Sequence, residues 1–151
     1  MEKLHFSFKI NAPVKKVWDT MLGEKTFREW TSAFMPGGYF EGSWDKGSKI
    51  KFLAPNKDGK PEGMSSEIAE NRPYEFVSIR HLGVVIGGKE DLQSQDAKEW
   101  GGKAYENYTF TEVGGSTEVS VDMDTAEQWK DDMTKTWPKA LARLKEIAEK
   151  S

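Results

Sequence analysis

The sequence predicts an α+β protein with one antiparallel sheet and a long C-terminal helix. A strand-like segment opens the chain, and two short helical segments follow it. About six further segments alternate apolar and polar residues, with turn signals such as "DKG" and "GG" between them. The last ~25 residues repeat apolar positions every three or four residues. Consecutive strands joined by short turns pair antiparallel, and a chain of 151 residues is expected to form one domain, residues 1–151.

The first strand is predicted at residues 4–10, where "LHFSFKI" places every second residue on an apolar face. Asn11 is expected to cap the next helix, and Pro13 suits its first turn. Apolar residues then recur at helical spacing until a glycine that can end the helix. A second short helix, "EKTFREW", places Phe27 and Trp30 one turn apart.

After "PGG" the apolar residues recur at every second position, as in a strand. Phe40 and Trp44 share a face of the segment "YFEGSWD", and Phe52 lies on the apolar face of "SKIKFLA". The same alternation in "GMSSEIAEN" turns Met64 toward the core. In "YEFVSIRHL" both faces are partly apolar, so the sequence leaves the register of that strand open. The hairpin "AYENYTFTEV" and "STEVSVDMD" completes the sheet, with Thr117 and the alternate residues after it facing inward.

Residues 83–102 form an unusually long connection, within which "KEDLQSQDAKEW" can form a short helix. Two alternatives stay open for this segment. It could be a lid over a cavity mouth, or it could cover the edge of the sheet.

One carboxylate is predicted to face inward. If Tyr108 points to the core, the period of two carries Glu106 to the same face. A buried carboxylate needs a partner, and Arg80 becomes that partner if Phe76 also faces inward. The pair could anchor a ligand inside a cavity. The alternative is an ion pair at the rim of the sheet, with about 0–1 kcal/mol of effect on stability.

Several kinds of site are not expected. The chain has no cysteine, and it has only two histidines, of which His5 faces outward and His81 stands alone in a strand. Neither a phosphate-binding loop nor a dinucleotide fingerprint is present, so no metal and no cofactor are predicted. The net charge is −3 without a basic stripe, which argues against nucleic acid. No segment is apolar enough to span a membrane, and a cytoplasmic protein is expected.

The aromatic content indicates where a ligand could bind. Six Trp and eight Phe are present, and most fall on inward faces. They could form only a large aromatic core, or they could surround an apolar pocket. The predicted cavity residues are Phe27, Trp30, Phe40, Trp44, Phe52, Met64, Phe76, Arg80, Glu106, Tyr108, Trp129, Met133 and Trp137.

The C-terminal helix contains a proline directly after Trp137. An interior proline costs a helix roughly 3 kcal/mol. Burial of the tryptophan offsets this cost, and a kink at Pro138 would let the helix follow a curved sheet.

Four segments resemble the START-like, helix-grip superfamily, also called SRPBCC. They are "INAPVKKVWDTMLGEKTFREW", "EIAENRPYEFVSIR", "AYENYTFTEVGGSTEVSVDM" and "TWPKALARLKEI". The resemblance spans nearly the whole chain, and the most similar branch is that of activators of the heat shock protein 90 ATPase. It implies an antiparallel sheet curled around the C-terminal helix, with an apolar cavity between them.

Because this fold hosts many functions, the resemblance leaves three hypotheses. The first is a protein that binds a hydrophobic small molecule, either a lipid or an aromatic, polyketide-like compound. The second is an interaction module for a chaperone. The third is an enzyme related to polyketide cyclases, although the polar pocket residues of the cyclases have no match here.

Overall fold

A computed structural model describes residues 1–150, apart from the side chain of Asp96. The strands are β1 (Glu2–Ile10), β2 (Tyr39–Gly42), β3 (Lys49–Pro55), β4 (Pro61–Arg72), β5 (Phe76–Ile86), β6 (Lys89–Asp91), β7 (Ala104–Val113) and β8 (Ser116–Thr125). The helices are α1 (Val14–Leu22), α2 (Glu24–Trp30), α3 (Gln95–Trp100) and α4 (Lys130–Lys150). Two short 3₁₀ turns, Thr31–Ala33 and Glu127–Trp129, follow α2 and precede α4.

The eight strands form one antiparallel sheet in the order β1-β8-β7-β5-β4-β3-β2, and β6 pairs separately with β5. The sheet is curled but not closed, so β1 and β2 lie at opposite edges. Helix α4 packs against β1, α1 and α2. This arrangement confirms the predicted α+β class and the helix-grip fold.

The core lies between the concave face of the sheet and α4. The period of two in β8 is confirmed, since Thr117 and the alternate residues up to Met123 are buried. The residues of α4 that are buried recur at helical spacing and are Trp137, Ala140, Leu141, Leu144 and Ala148. The exposed Pro138 lies inside the helix, which continues through it.

The predicted cap of the first helix is wrong by two residues. The N-cap position of α1 is Pro13, and no side chain caps the helix. Asn11 instead bonds to α4 and β8: its backbone N–H donates to Glu149 at 2.8 Å, and its side-chain oxygen accepts from Ser116 at 3.2 Å. A proline already at the helix start leaves one fewer N–H group that needs a cap.

The long segment after β5 is folded onto that strand. Strand β6 pairs with residues 84–86 of β5, beyond His81, where the pairing of β5 with β7 ends. Helix α3, capped by Ser94, then packs on β5 and buries Ala97 and Trp100. The segment thus covers the part of β5 that β7 does not reach, which supports the edge-cover alternative.

None of the helices within residues 1–150 has both the length and the hydropathy needed to cross a membrane.

Candidate functional site

An apolar cavity of about 260 Å³ lies between α2, the chain that follows it, the inner face of the sheet and α4, and it is partly open to solvent. The residues of the sequence-predicted set that line it are Phe27, Trp30, Phe52, Met64, Glu106, Tyr108, Met133 and Trp137. No residue of the 83–102 segment is among the described lining residues, which argues against a lid over this cavity. Other depressions have more polar walls, such as the one beside His5 and Asp122.

Trp137 is the centre of the aromatic wall and is 3% exposed. Its ring centroid lies 4.9 Å from that of Phe34, 6.0 Å from that of Trp30 and 6.1 Å from that of Tyr108. The indole N–H of Trp30 donates to the carbonyl of Met21 at 3.0 Å. The indole N–H of Trp137, by contrast, is buried and has no acceptor among the described residues.

Two predicted residues, Phe40 and Trp44, lie behind the wall and do not line it. The Phe40 ring packs edge-on against that of Phe27, with 5.1 Å between the ring centroids. The ring centroids of Trp44 and Phe52 lie 5.7 Å apart. Both are partly buried and hold the lining rings of Phe27 and Phe52 in position. Their predicted contact with a ligand would therefore be indirect in this arrangement.

The predicted Arg80–Glu106 pair is wrong. Cross-strand partners point to the same face of a sheet, and Glu106 pairs with Ile79, while Arg80 pairs with Tyr105. Arg80 therefore lies on the outer face, where its guanidinium contacts Glu67 at 2.6 Å and the carbonyl of Gly102 at 3.0 Å.

Phe76 shares the outer face with Arg80 and was also predicted inward. Its ring lies 5.0 Å from the guanidinium of Arg72, away from the cavity. The inner positions of β5 are instead Val77, Ile79 and the buried His81.

Trp129 was predicted inward because it continues the helical spacing of Met133 and Trp137. The structure places it outside the cavity with 51% of its surface exposed. Helix α4 begins only at Lys130, and Trp129 belongs to the preceding 3₁₀ turn. The helical period therefore does not extend to it.

A chain of hydrogen bonds forms the polar end of the cavity. The Ser66 hydroxyl lies 2.7 Å from His81 Nδ1, and His81 Nε2 lies 3.3 Å from Glu106 Oε1. The Tyr108 hydroxyl donates to the other oxygen of Glu106. Ser66, His81 and Tyr108 are buried, while Glu106 keeps 16% of its side-chain surface exposed.

Every donor in this series of hydrogen bonds has an acceptor when Glu106 is a carboxylate and His81 is neutral. A carboxylate only accepts, so in a neutral His81 ring Nε2 donates to Glu106 and Nδ1 accepts from Ser66. Burial raises the pKa of the Tyr108 phenol well above its ordinary value, and the adjacent Glu106 charge raises it further. Tyr108 therefore remains a hydrogen-bond donor throughout the neutral range.

Ser66, His81 and Glu106 have the composition of a nucleophilic triad but not its geometry. A nucleophile must reach its substrate, whereas Ser66 has no exposed surface and does not line the cavity. Among the side chains that the structure describes, which exclude Asp96 and Ser151, no group of three His, Asp or Glu lies close enough to hold a metal ion. The arrangement is suited to hydrogen bonding within an apolar pocket.

The sequence missed half of the cavity wall. The lining residues that it did not indicate are Thr31, Phe34, Met35, Gly38, Tyr39, Leu53, Ala54 and His81. Four of them, Thr31, Phe34, Met35 and Gly38, lie between α2 and β2, where no period predicts which way a side chain points. His81 could have been found by pairing β5 with β7, because the register that turns Glu106 inward also turns His81 inward.

Three solved structures with this fold illustrate the similarity. A protein from Cytophaga hutchinsonii is 19% identical with a TM-score of 0.73, covering 99% of this chain and 94% of that one. The Aha1 dimer from Colwellia psychrerythraea is 18% identical with a TM-score of 0.70, covering 99% and 98%. DynU16, from the dynemicin biosynthetic locus, is 16% identical with a TM-score of 0.69, covering 99% of this chain and 48% of that one.

At these identities the structures show the fold alone. The comparison with curated proteins finds no match for this chain. A family model, described as Activator of Hsp90 ATPase homolog 1-like protein, matches residues 11–149, which is nearly the whole chain. The chain therefore belongs to the family of Activator of Hsp90 ATPase homolog 1-like proteins.

Proposed function

We propose that this protein binds a compact, hydrophobic, ring-containing small molecule in the cavity beneath α4. The observation that carries the proposal is the wall itself, in which aromatic and aliphatic side chains surround one cluster of polar groups. Small-molecule sites are built in this way, because apolar burial supplies affinity and a few polar groups supply orientation. Trp137, Trp30 and Phe27 give the flat surfaces on which a ring can pack.

The size of the cavity favours a small ligand. Pockets for drug-sized molecules span about 300–1,000 Å³. A volume of about 260 Å³ lies just below that range, which suits one or two fused rings better than a long lipid chain. Of the two ligand classes that the sequence left open, the aromatic one is therefore the better match.

Filling the cavity tests the proposal. Met64 lines the cavity and is partly buried, so Met64→Trp should occupy the space with little disturbance of the core. Ile86→Trp adds the same ring on the same sheet, where 56% of the side chain is exposed and outside the cavity. We expect naphthalene to shift the amide resonances of Trp137 and Tyr108 in the wild type and in Ile86→Trp, but not in Met64→Trp. The absence of any shift in the wild type would refute the proposal.

The family also supports a second candidate, association with a chaperone in the cytoplasm. Such a partner would bind the surface, where large apolar side chains such as Trp129 are exposed. Titration with an Hsp90 middle domain should then perturb Trp129 and its neighbours, and Trp129→Ser should weaken the effect while naphthalene binding remains. Unchanged spectra on adding the chaperone domain would exclude this candidate.

A further inference from the structure

The polar end of the cavity offers a hydrogen-bond acceptor that the protein itself does not fill. A carboxylate has two oxygens with about four acceptor positions. In the folded chain, Glu106 accepts one bond from His81 and one from Tyr108. Because Glu106 also lines the cavity, acceptor capacity remains on the side that a ligand would occupy.

The donors around Glu106 are already engaged. His81 uses both ring nitrogens, one with Ser66 and one with Glu106. The Tyr108 hydroxyl donates to Glu106 as well. A ligand that approaches this end therefore meets an acceptor, and it can complete the hydrogen bonding of Glu106 only by donating.

The charge of the cavity wall also favours a neutral ligand that donates a hydrogen bond. No lysine or arginine is among the described lining residues, since Arg80 lies on the outer face with Glu67. An anionic ligand would thus place its charge beside Glu106 in a largely apolar cavity whose described lining contains no lysine or arginine. This arrangement disfavours compounds that end in a carboxylate, including fatty acids.

We propose that the cavity selects neutral aromatic compounds that carry a hydroxyl or N–H group, and that this group donates a hydrogen bond to Glu106. The proposal rests on ligand binding in the cavity and specifies the class of ligand. Glu106 is then the specificity-determining residue, with His81 and Tyr108 holding its carboxylate in position.

Three probes with the same two rings test the proposal by NMR titration at pH 7. 2-Naphthol donates a hydrogen bond, 2-methoxynaphthalene only accepts, and 2-naphthoate is an anion. We expect 2-naphthol to bind the wild type at least about tenfold more tightly than either of the others, the ratio typical of a hydrogen bond to a charged acceptor. In Glu106→Gln, whose single amide oxygen is shared with two protein donors, the ratio should fall to about threefold or less.

The outcomes separate this proposal from the one on which it rests. Equal affinity for 2-naphthol and 2-methoxynaphthalene would overturn the selectivity and leave ligand binding intact, as would preference for 2-naphthoate. If none of the three probes nor naphthalene binds, both proposals are refuted. The ratio of the wild-type affinities for 2-naphthol and 2-methoxynaphthalene tests the selectivity even if Glu106→Gln does not fold. Arg80→Ala, which removes a guanidinium on the outer face and leaves Glu106 and its partners in place, should preserve the preference for 2-naphthol and serves as the second variant.

Discussion

The two tryptophans around the start of α4 allow a direct test of which one belongs to the core. The spacing in the sequence treats Trp129 and Trp137 as equivalent, but the structure exposes 51% of the first and 3% of the second. Replacement of each by alanine should therefore have very different effects on the free energy of unfolding. The pair is well matched, because the same ring is removed from positions eight residues apart.

The expected magnitudes follow from the buried areas. A fully buried Trp removes about 150–250 Å² from water, equivalent to about 4–6 kcal/mol as an upper bound. Trp137→Ala should thus lower the free energy of unfolding by about 3–5 kcal/mol, the usual range for a buried Trp. Trp129 is half exposed, so Trp129→Ala should cost at most about half of this bound, or about 2–3 kcal/mol. For a chain of this length, each kcal/mol corresponds to about 2–4 °C in Tm.

Urea denaturation followed by far-UV circular dichroism measures both changes. We expect Trp137→Ala to unfold at a markedly lower urea concentration than the wild type, and Trp129→Ala to unfold at a concentration between the two. If Trp137→Ala fails to fold at all while Trp129→Ala remains stable, the expected order of the two losses of stability is still confirmed. Equal losses in the two variants, or a larger loss for Trp129→Ala, would refute the placement of these side chains.

Three further predictions concern a buried phenol, an interior proline and an outer ion pair. Because the folded-state pKa of Tyr108 is raised, the folded protein retains a proton that the unfolded chain loses above about pH 10. The free energy of unfolding should therefore fall more steeply above that pH in the wild type than in Tyr108→Phe, and parallel profiles would contradict this. Pro138→Ala should restore a helix hydrogen bond and raise the free energy of unfolding by roughly 1–3 kcal/mol. It should also alter helix curvature and naphthalene affinity, and an unchanged structure with unchanged binding would argue against a kink at this proline. Arg80→Ala should cost about 0–1 kcal/mol, because its pair with Glu67 is partly exposed, and should leave naphthalene affinity unchanged. A clear loss of affinity would show that Arg80 reaches the cavity.

Elements with a single strong period were predictable from the sequence. Strand β1 and the β7–β8 hairpin have one apolar face each, and α4 keeps one apolar stripe from Met133 onward. In these cases burial of one face fixes the register, since a shift by one residue would expose it. The same reasoning turned Glu106 and Tyr108 to one face, and the structure places both on the cavity wall.

The prediction failed where two patterns competed or where the period changed. In β5 both faces carry apolar side chains, because Phe76 and Leu82 cover the outer surface while Val77 and Ile79 fill the core. Hydrophobicity alone therefore could not choose between the two registers. The pairing with β7 chooses between them, and the β4–β5 ladder shifts register at two points, between Ser65 and Ser66 and between Ile68 and Glu70.

The register of β5 decides whether Arg80 or His81 faces the cavity beside Glu106, and so it decides the chemistry of the polar end. With Phe76 and Arg80 inside, the cavity would contain a guanidinium beside Glu106, and the pair would suit a ligand carboxylate as well as a hydroxyl. With His81 inside, the guanidinium lies outside with Glu67, and Glu106 is held by His81 and Tyr108. The same fold and the same aromatic wall thus change from a site that tolerates an anion to one that rejects it. Head-group selectivity among probes of equal ring size therefore measures the register of one strand.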